Sequence, residues 1–293
     1  MDIANLQAFS AVAEQTSFSA AAERLFLTQP AVSKRIAQLE SELGAKLFDR
    51  IGRKVSLTEA GKALLPRARR LLNDAAEIQR TVANLSSNMA GRLSMATSHH
   101  IGLHRLPAPL KAFTQQYPQV ELDIHFMDSE AACHAVEIGD LELAIVTLPT
   151  KPLANLTMQT IWHDPLTFVV GHAHPLSEKS SLALKTVVQH PAVLPNSNTY
   201  TRDILQQAVQ QAQLTLNIGM ETNYLETLGM LVGAGLGWSL LPETLCDHKV
   251  TKIKVRGLQL SRQLGAVTHA QRSLSNAAKR MVALCCQTTC TTQ

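Results

Sequence analysis

The hydrophobic period of this chain changes near residue 92, and that change limits its fold more than any other feature. Before it, apolar residues recur every three to four positions, the repeat of amphipathic helices. After it, short β-rich runs alternate with helical stretches, the pattern of a mostly parallel sheet covered by helices. One layered core cannot satisfy both patterns. The 293 residues therefore read as a helical module followed by a larger α/β body. Charge divides at the same place: residues 1–92 hold 13 Lys/Arg against 9 Asp/Glu, and residues 93–293 hold 14 of each. From Arg24 to Arg70 the ratio is 11 to 4. Such a cluster suits a phosphate backbone, although on charge alone a solvated basic surface explains it equally. No apolar run reaches the ~18 residues a membrane helix needs. The opening MDIANLQAFSAVAEQ lacks the basic start of a signal peptide, so a cytoplasmic location is expected.

Ile3, Leu6, Phe9 and Ala13 predict a first helix, which TSFS breaks. Ser17 or Ser19 caps a second helix in SAAAERLFL. After a short turn through Thr28, Pro30 sits in the first turn of a third helix, where its missing N–H costs little. Val32, Ile36, Leu39 and Leu43 form the core stripe of that helix. Gln29, Pro30, Ser33, Lys34 and Ala37 face away from it. This second face is polar, basic and free of large aliphatic groups. Gln pairs well with adenine, and Ser and Lys reach base edges or phosphates, so a helix-turn-helix is predicted. An ordinary three-helix bundle would show the same periodicity. Gly44 suits a helix C-cap. Leu47 and Phe48 are apolar anchors. Arg50, Arg53 and Lys54 surround Gly52 ahead of a short strand at Val55–Leu57, which predicts a basic wing suited to the minor groove.

Leu64, Ala68, Leu71, Ala75, Ile78, Val82 and Leu85 then step by four and three, an a/d seam. Pro66 is expected to remove a hydrogen bond or kink the helix. Packing on its own domain is the alternative, but a narrow seam among Arg67, Arg69, Arg70, Asp74, Glu77 and Arg80 favours a partner helix. The segment NLSSNMAG, 84–91, is the expected domain boundary.

In the second part, strands are predicted at RLSMATS, VELDIHFMD, LELAIVTLP, LTFVVG (opening a second lobe), PAVLP, LNIGME and QLGAVTH. Helices are predicted around 105–117 and 131–138. Ligands of open α/β sheets bind beyond the carboxyl ends of strands. That rule selects Thr97, Ser98, His99 and His100, then Ser129, Thr147, the loop Asn196–Thr199 with Asn198, and Thr222 with Asn223. Helix capping explains Ser, Thr and Asn at these places equally. Neutral donors with imidazole suit a small polar or anionic metabolite, and charge on His99 or His100 would strengthen an anion's binding. His99, His100 and His104 invite a zinc reading, with Asp128 the only carboxylate expected near them; effector contact or plain packing is the simpler account. Five cysteines argue against a disulfide framework. Cys285, Cys286 and Cys290 read as a frayed tail, and Cys133, near Ser129, is the better redox candidate. No nucleophile elbow, P-loop, dinucleotide fingerprint or HExxH motif points to an enzyme.

The run F-S-x-A-A-E-R-L-x-L-T-Q-P-A-V-S-K-R-I, continued to the L-T-E-A-G that ends at Gly61, resembles the DNA-binding signature of LysR-type transcriptional regulators. The resemblance implies an all-α winged helix-turn-helix over 1–58 and a linker helix and hinge over 59–91. It implies an α/β sensor like type II periplasmic binding proteins over 92–293, with lobe I at 92–161 and 267–293 and lobe II at 162–266. In this likeness Thr28 contacts the backbone of DNA, Gln29, Pro30, Ser33 and Lys34 belong to the recognition helix, and Arg50 and Arg53 to the wing. The effector cleft takes Thr97, Ser98, His99, His100, Ser129, Thr147, Asn196, Asn198, Thr199 and Thr222. Expected partners are double-stranded DNA with an interrupted dyad, RNA polymerase, and a second copy of the chain in a dimer or dimer of dimers. No catalytic residues, metal or cofactor are expected besides a small-molecule effector; a redox- or metal-responsive version of the same design would use Cys133 or the three histidines.

Overall fold

The computed structural model describes residues 2–51, 54–84, 89–179 and 181–287. Arg53, Leu85 and Cys290 lie outside them, as do the side chains of Arg50 and Val82. The chain forms two compact units, residues 1–86 with the short segment 138–140, and residues 87–137 with 141–293.

The first unit holds α1 (Ile3–Gln15), α2 (Phe18–Arg24), α3 (Gln29–Leu43), a hairpin of β1 (Phe48–Ile51) and β2 (Lys54–Leu57), and α4 (Glu59–Asn84). Each of the first three helices begins on a capping side chain. Asp2 accepts from the Ala4 N–H, Ser17 from Ala20 and Thr28 from Ala31, each worth about 1 kcal/mol. Gly44 ends α3 at φ 64°, a left-handed conformation that favours glycine. Phe9, Val12, Val32, Ile36 and Leu39 are buried together, and Phe48 brings the hairpin onto the Phe9 and Phe18 rings. Each such side chain contributes about 1.5–3 kcal/mol of transfer free energy. Leu43, predicted as the fourth member of the stripe, is 43% exposed, because the last turn of α3 runs past the core. A β-carbon at Gly61 would overlap the Leu47 carbonyl oxygen, so this glycine permits the close approach of α4 to the start of the hairpin.

Helix α4 continues through Pro66. The predicted seam divides along its length. Leu64 and Ala68 pack into the unit's own core, against the reading that they face a partner. Leu71 and Ile78 are exposed, Ile78 by 67%.

The second unit carries β3 (Gly91–Thr97), α5 (His99–His104), α6 (Pro107–Gln116), β4 (Val120–Phe126), α7 (Ser129–Ile138), β5 (Leu143–Thr147) and β6 (Leu156–Gly171). There follow α8 (Leu184–Val187), β7 (Ala192–Leu194), α9 (Tyr200–Gln211), β8 (Ile218–Glu221), α10 (Leu225–Gly233), β9 (Trp238–Pro242), β10 (Val250–Ile253), β11 (Leu260–His269) and α11 (Asn276–Gln287). The strand order is β4-β3-β5-β11-β6-β9-β7-β8, with β10 also on β6. Parallel pairs occupy the two ends, β3 with β4 and β5, and β7 with β8 and β9. The middle is antiparallel: β11 on β5 and β6, and β6 on β9 and β10. The sheet is therefore mixed, not mostly parallel as its alternation suggested.

The reason lies in β6. LTFVVG is only the second half of a 16-residue strand that begins in the first lobe and ends in the second. Strand β11 returns along it, with a register shift between Leu264 and Gly265. A β-carbon at Gly265 would overlap the Gln159 carbonyl oxygen, so glycine is required where the two crossing strands meet most closely. One lobe centres on Leu93, Met95, Phe113, Leu143, Ile145 and Met281. The other centres on Phe168, Val170, Leu194, Leu205, Trp238 and Leu240. The predicted helix around 105–117 is α6, and a separate short helix, α5, precedes it. Cys285 is buried on α11 rather than on a frayed tail, and burial pushes its thiol up to about 12.

Candidate functional site

Two sites develop from these elements, one in each unit. In the first unit the core stripe of α3 turns the opposite face outward. Thr28, Gln29, Pro30 and Lys34 are exposed and Ser33 is half-buried beside them. Gln29 donates from Nε2 to the Ser33 Oγ at 3.0 Å, so two base-reading candidates one turn apart hold each other in place. The helix starts at this end, and its dipole favours an approaching phosphate, although Thr28 takes the Ala31 and Val32 N–H groups and Pro30 has none. The hairpin after α3 supplies Arg50 in β1; Arg53 is outside the described residues.

In the second unit a cavity of about 330 Å³ opens between the two lobes. The first lobe contributes Ser98, His99 and His100 after β3, Asp128, Ser129 and Glu130 after β4, and Thr147 at the end of β5. The second lobe contributes Thr199 and Thr201 around the start of α9, and Asn223 and Tyr224 before α10. Arg262 enters from the crossing strand β11. All but Arg262 and Thr147 follow the carboxyl ends of parallel strands, where polar loops remain free to meet a ligand; Thr147 is the last residue of β5 and still pairs with Leu264.

Polar contacts tie the lobes across this cavity. Asn223 donates from Nδ2 to Asp128 Oδ2 at 2.7 Å, and Glu130 Oε1 accepts from the Tyr200 N–H at 2.6 Å. Burial raises the Glu130 carboxyl above the ordinary range, although the Tyr200 N–H works against that shift. Ser129 Oγ accepts from the Thr147 N–H at 3.2 Å. Thr199 Oγ1 donates to the Asn196 carbonyl and accepts from the Arg202 N–H, which caps α9.

Arg262 is buried at 3% exposure. Its Nε donates to Asp164 Oδ2 at 2.7 Å and its Nη1 to Thr201 Oγ1 at 3.3 Å. Its Nη2 is buried and has no partner. Arg105 donates to the other oxygen of Asp164 at 3.2 Å. Desolvation lowers the Arg262 pKa, and Asp164 offsets part of that effect. His100, also buried, is pushed down to about 4, by burial first and by Arg262 next. It is therefore neutral near pH 7, against the idea that its charge draws an anion.

Six of the ten effector candidates meet at the cavity: Ser98, His99, His100, Ser129, Thr147 and Thr199. Four do not line it. Thr97 is fully buried and donates from Oγ1 to the Ile145 carbonyl, because the last residue of β3 still belongs to the sheet. Asn196 and Asn198 are exposed in the loop before α9, where the Asn196 N–H donates to Asn223 Oδ1 at 3.0 Å. Thr222 spends its N–H on the Leu194 carbonyl, extending the β7–β8 pairing. Sequence reasoning missed Glu130, Thr201, Tyr224 and above all Arg262. Arg262 lies in a plain strand, far along the chain, with no motif to mark it.

Two further expectations change. Asp128 bonds Asn223, and the carboxylate beside His100 and His104 is Glu226 of α10. His99 turns away from that pair to meet the edges of Phe126 and Tyr224. Cys133 lies in a packed cluster with Ala132, Val136 and Val146, and burial pushes its thiol up to about 11. A thiol so protonated and enclosed is a poor redox trigger.

Comparison with known proteins follows the same division. The profile of the bacterial regulatory helix-turn-helix protein, lysR family, matches residues 3–62, and that of the LysR substrate binding domain matches residues 86–289. An uncharacterized HTH-type transcriptional regulator of Azotobacter vinelandii is 64% identical over 107 residues, covering 36% of this chain and 74% of its own. A protein of Thalassiosira pseudonana named "Probable RuBisCO transcriptional regulator" is 30% identical over 93% of this chain and 92% of its own. The structure of full-length OxyR, a variant from Pseudomonas aeruginosa, superposes with a TM-score of 0.73 at 22% identity, covering 98% of this chain and 94% of that one.

Proposed function

The chain belongs to the LysR family of DNA-binding transcriptional regulators with an effector-binding domain, and from that premise we propose that a small anionic metabolite, seated on Arg262 between the two lobes, controls how a dimer of the chain engages DNA. The observation that carries this reading is the unpartnered Nη2 of a buried guanidinium that lines the cavity, whose two carboxylates, Asp128 and Glu130, are already engaged by Asn223 and the Tyr200 N–H. A buried donor without a partner is costly, and a carboxylate or similar anion relieves that cost through a charge-assisted hydrogen bond. The cavity volume suits a small metabolite, at the lower end of the usual ~300–1,000 Å³. Ser129 and Thr201, whose hydroxyls only accept within the protein, and the second N–H of Asn223 Nδ2 supply the donors that orient the rest of the ligand.

On DNA, the face of Gln29, Ser33 and Lys34 reads the major groove, Thr28 and the start of α3 hold phosphate, and Arg50 and Arg53 approach the minor groove. Exposed Leu71 and Ile78 join two copies along α4, so the operator is an interrupted dyad. The chain acts in the cytoplasm, as a dimer or dimer of dimers, and signals to RNA polymerase. Among the described residues no helix is long and apolar enough to cross a membrane.

Two measurements test the two halves. Fluorescence anisotropy with DNA upstream of the chain's own gene should show binding that weakens steeply with salt; binding indifferent to salt sinks the groove reading. A thermal-shift screen of carboxylate metabolites on the full chain should give hits that Arg262→Lys and Thr199→Ala weaken. Hits that ignore both substitutions place the effector elsewhere.

A further inference from the structure

We infer that His100, His104 and Glu226 form a binding site for one divalent transition-metal ion of the zinc class, which fastens the first lobe to the second. His100 and His104 sit one turn apart on α5, with ring centroids 4.8 Å apart. Glu226 comes from the first turn of α10, on the opposite lobe. Its Oε1 lies 3.1 Å from His104 Nε2 and 3.5 Å from His100 Nδ1. One ligand atom from each of the three residues lies within 4.8 Å of the other two. A tetrahedral ion with bonds of about 2.0–2.1 Å sets its ligands ~3.4 Å apart. Two of the separations already stand near that value, and a small rotation of the exposed His104 side chain adjusts the third.

A second observation is independent of this spacing. His100 is 4% exposed and neither of its ring nitrogens has a hydrogen-bond partner; Glu226 Oε2 is likewise buried and unpartnered. A hydrogen bond between His104 and Glu226 accounts for the outer half of the cluster and leaves His100 unsatisfied. A metal ion takes a lone pair from His100 and shares the carboxylate, which answers both. Two imidazoles with one carboxylate is a borderline donor set that suits zinc, cobalt or nickel and disfavours magnesium or calcium. Among the described residues this is the only such cluster of three.

Local charge also bears on what the ion does. Arg105 and Arg262 share Asp164, so with Glu226 the surroundings carry two positive and two negative groups. A bound dication leaves a positive excess beside His100, which also lines the cavity. The ion therefore favours an anion in the cleft. That coupling rests on the effector reading above; the metal site does not.

The test is titration of the chelator-treated full-length chain with Co²⁺, without any effector. We expect visible d–d absorption that saturates at one ion per chain and is displaced by Zn²⁺. His104→Ala and Glu226→Gln each weaken binding by about tenfold or more, while His99→Ala leaves it unchanged. His104 is 37% exposed, so its loss leaves the fold intact, and Glu226→Gln keeps the side-chain volume in case it does not. A chain that shows no saturable Co²⁺ signal overturns the site. So does a signal that both ligand substitutions leave untouched. Either result leaves the metabolite screen, and the effector reading, standing.

Discussion

The two units put their functional residues in opposite kinds of place. In the first, the DNA-reading candidates are neighbours in sequence: Thr28 to Lys34 occupy the first turns of one helix, and the wing follows within twenty residues. In the second, the cavity draws on the ends of separate strands, the starts of α5, α7 and α9, the loop before α10 and one residue of β11. A groove-reading surface needs only one helix with two faces. A cleft needs a whole sheet to bring its walls together. The first unit therefore breaks at local contacts and the second at long-range ones.

The largest effect expected from breaking this comparison is at Asp164. It is 1% exposed and holds both Arg262 and Arg105. Asp164→Ala leaves a buried guanidinium unpaired and should cost about 3–5 kcal/mol, read by chemical denaturation of the full chain. A loss under about 1 kcal/mol would mean that Arg262 is not held as described.

Glycine comes next, with one site in each unit. Gly61→Ala meets the Leu47 carbonyl and Gly265→Ala meets the Gln159 carbonyl. Each should cost about 1–3 kcal/mol. Gly61→Ala should weaken DNA binding by shifting the hairpin against α4. Gly265→Ala should weaken effector binding instead, because it disturbs the crossing strands. Crossed effects would blur the division drawn here.

Smaller changes follow on α3. Lys34→Ala should reduce the slope of log K against log salt by about one. Ser33→Ala removes the partner of Gln29 and should cost on the order of 1 kcal/mol in discrimination between bases, with the salt slope kept. Equal behaviour of the two variants would undo their assignment to phosphate and base.

The smallest effects are in pH dependence, and their signs differ between the units. Glu40 accepts from Lys46 and from the Leu47 N–H. Burial works against its charge, yet these bonds hold its carboxyl below the ordinary range. Its folded pKa is depressed, so its stabilisation is present above the ordinary carboxylate range and fades as pH falls through the folded value. The stability gap between the parent chain and Glu40→Gln should close in acid. Glu130, raised by burial, has the opposite sign: its contribution weakens as pH rises through the carboxylate range. Glu130→Gln, which still accepts from Tyr200, should remove that loss. Parallel pH profiles for the two variants would contradict both assignments.

Much of the first unit was legible because its signals are local. Caps, a proline in the first turn of α3 and a two-faced helix all lie within a few residues of what they control. The misreadings there came from distance: Leu43 runs past a core whose end no periodicity marks, and Leu64 and Ala68 share a seam's spacing while packing inward. In the second unit, the strand-end rule placed Ser98, Ser129, Thr147 and Thr199 correctly on the cavity's walls. It failed at Thr97, where the side chain points into the sheet, and had no purchase on Arg262, whose role depends on Asp164 nearly a hundred residues away.

By itself, then, the sequence determined a basic helix-turn-helix with a wing, a long helix with an apolar seam, and an α/β body in two lobes. These follow from periodicity and short-range chemistry, which a chain carries wherever it folds. Only the tertiary structure decided that β6 and β11 cross between the lobes, that Arg262, held by Asp164, lines the cleft, and that Glu226 meets His100 and His104. Such meetings depend on register and close approach between segments far apart in the chain, and no local repeat records them.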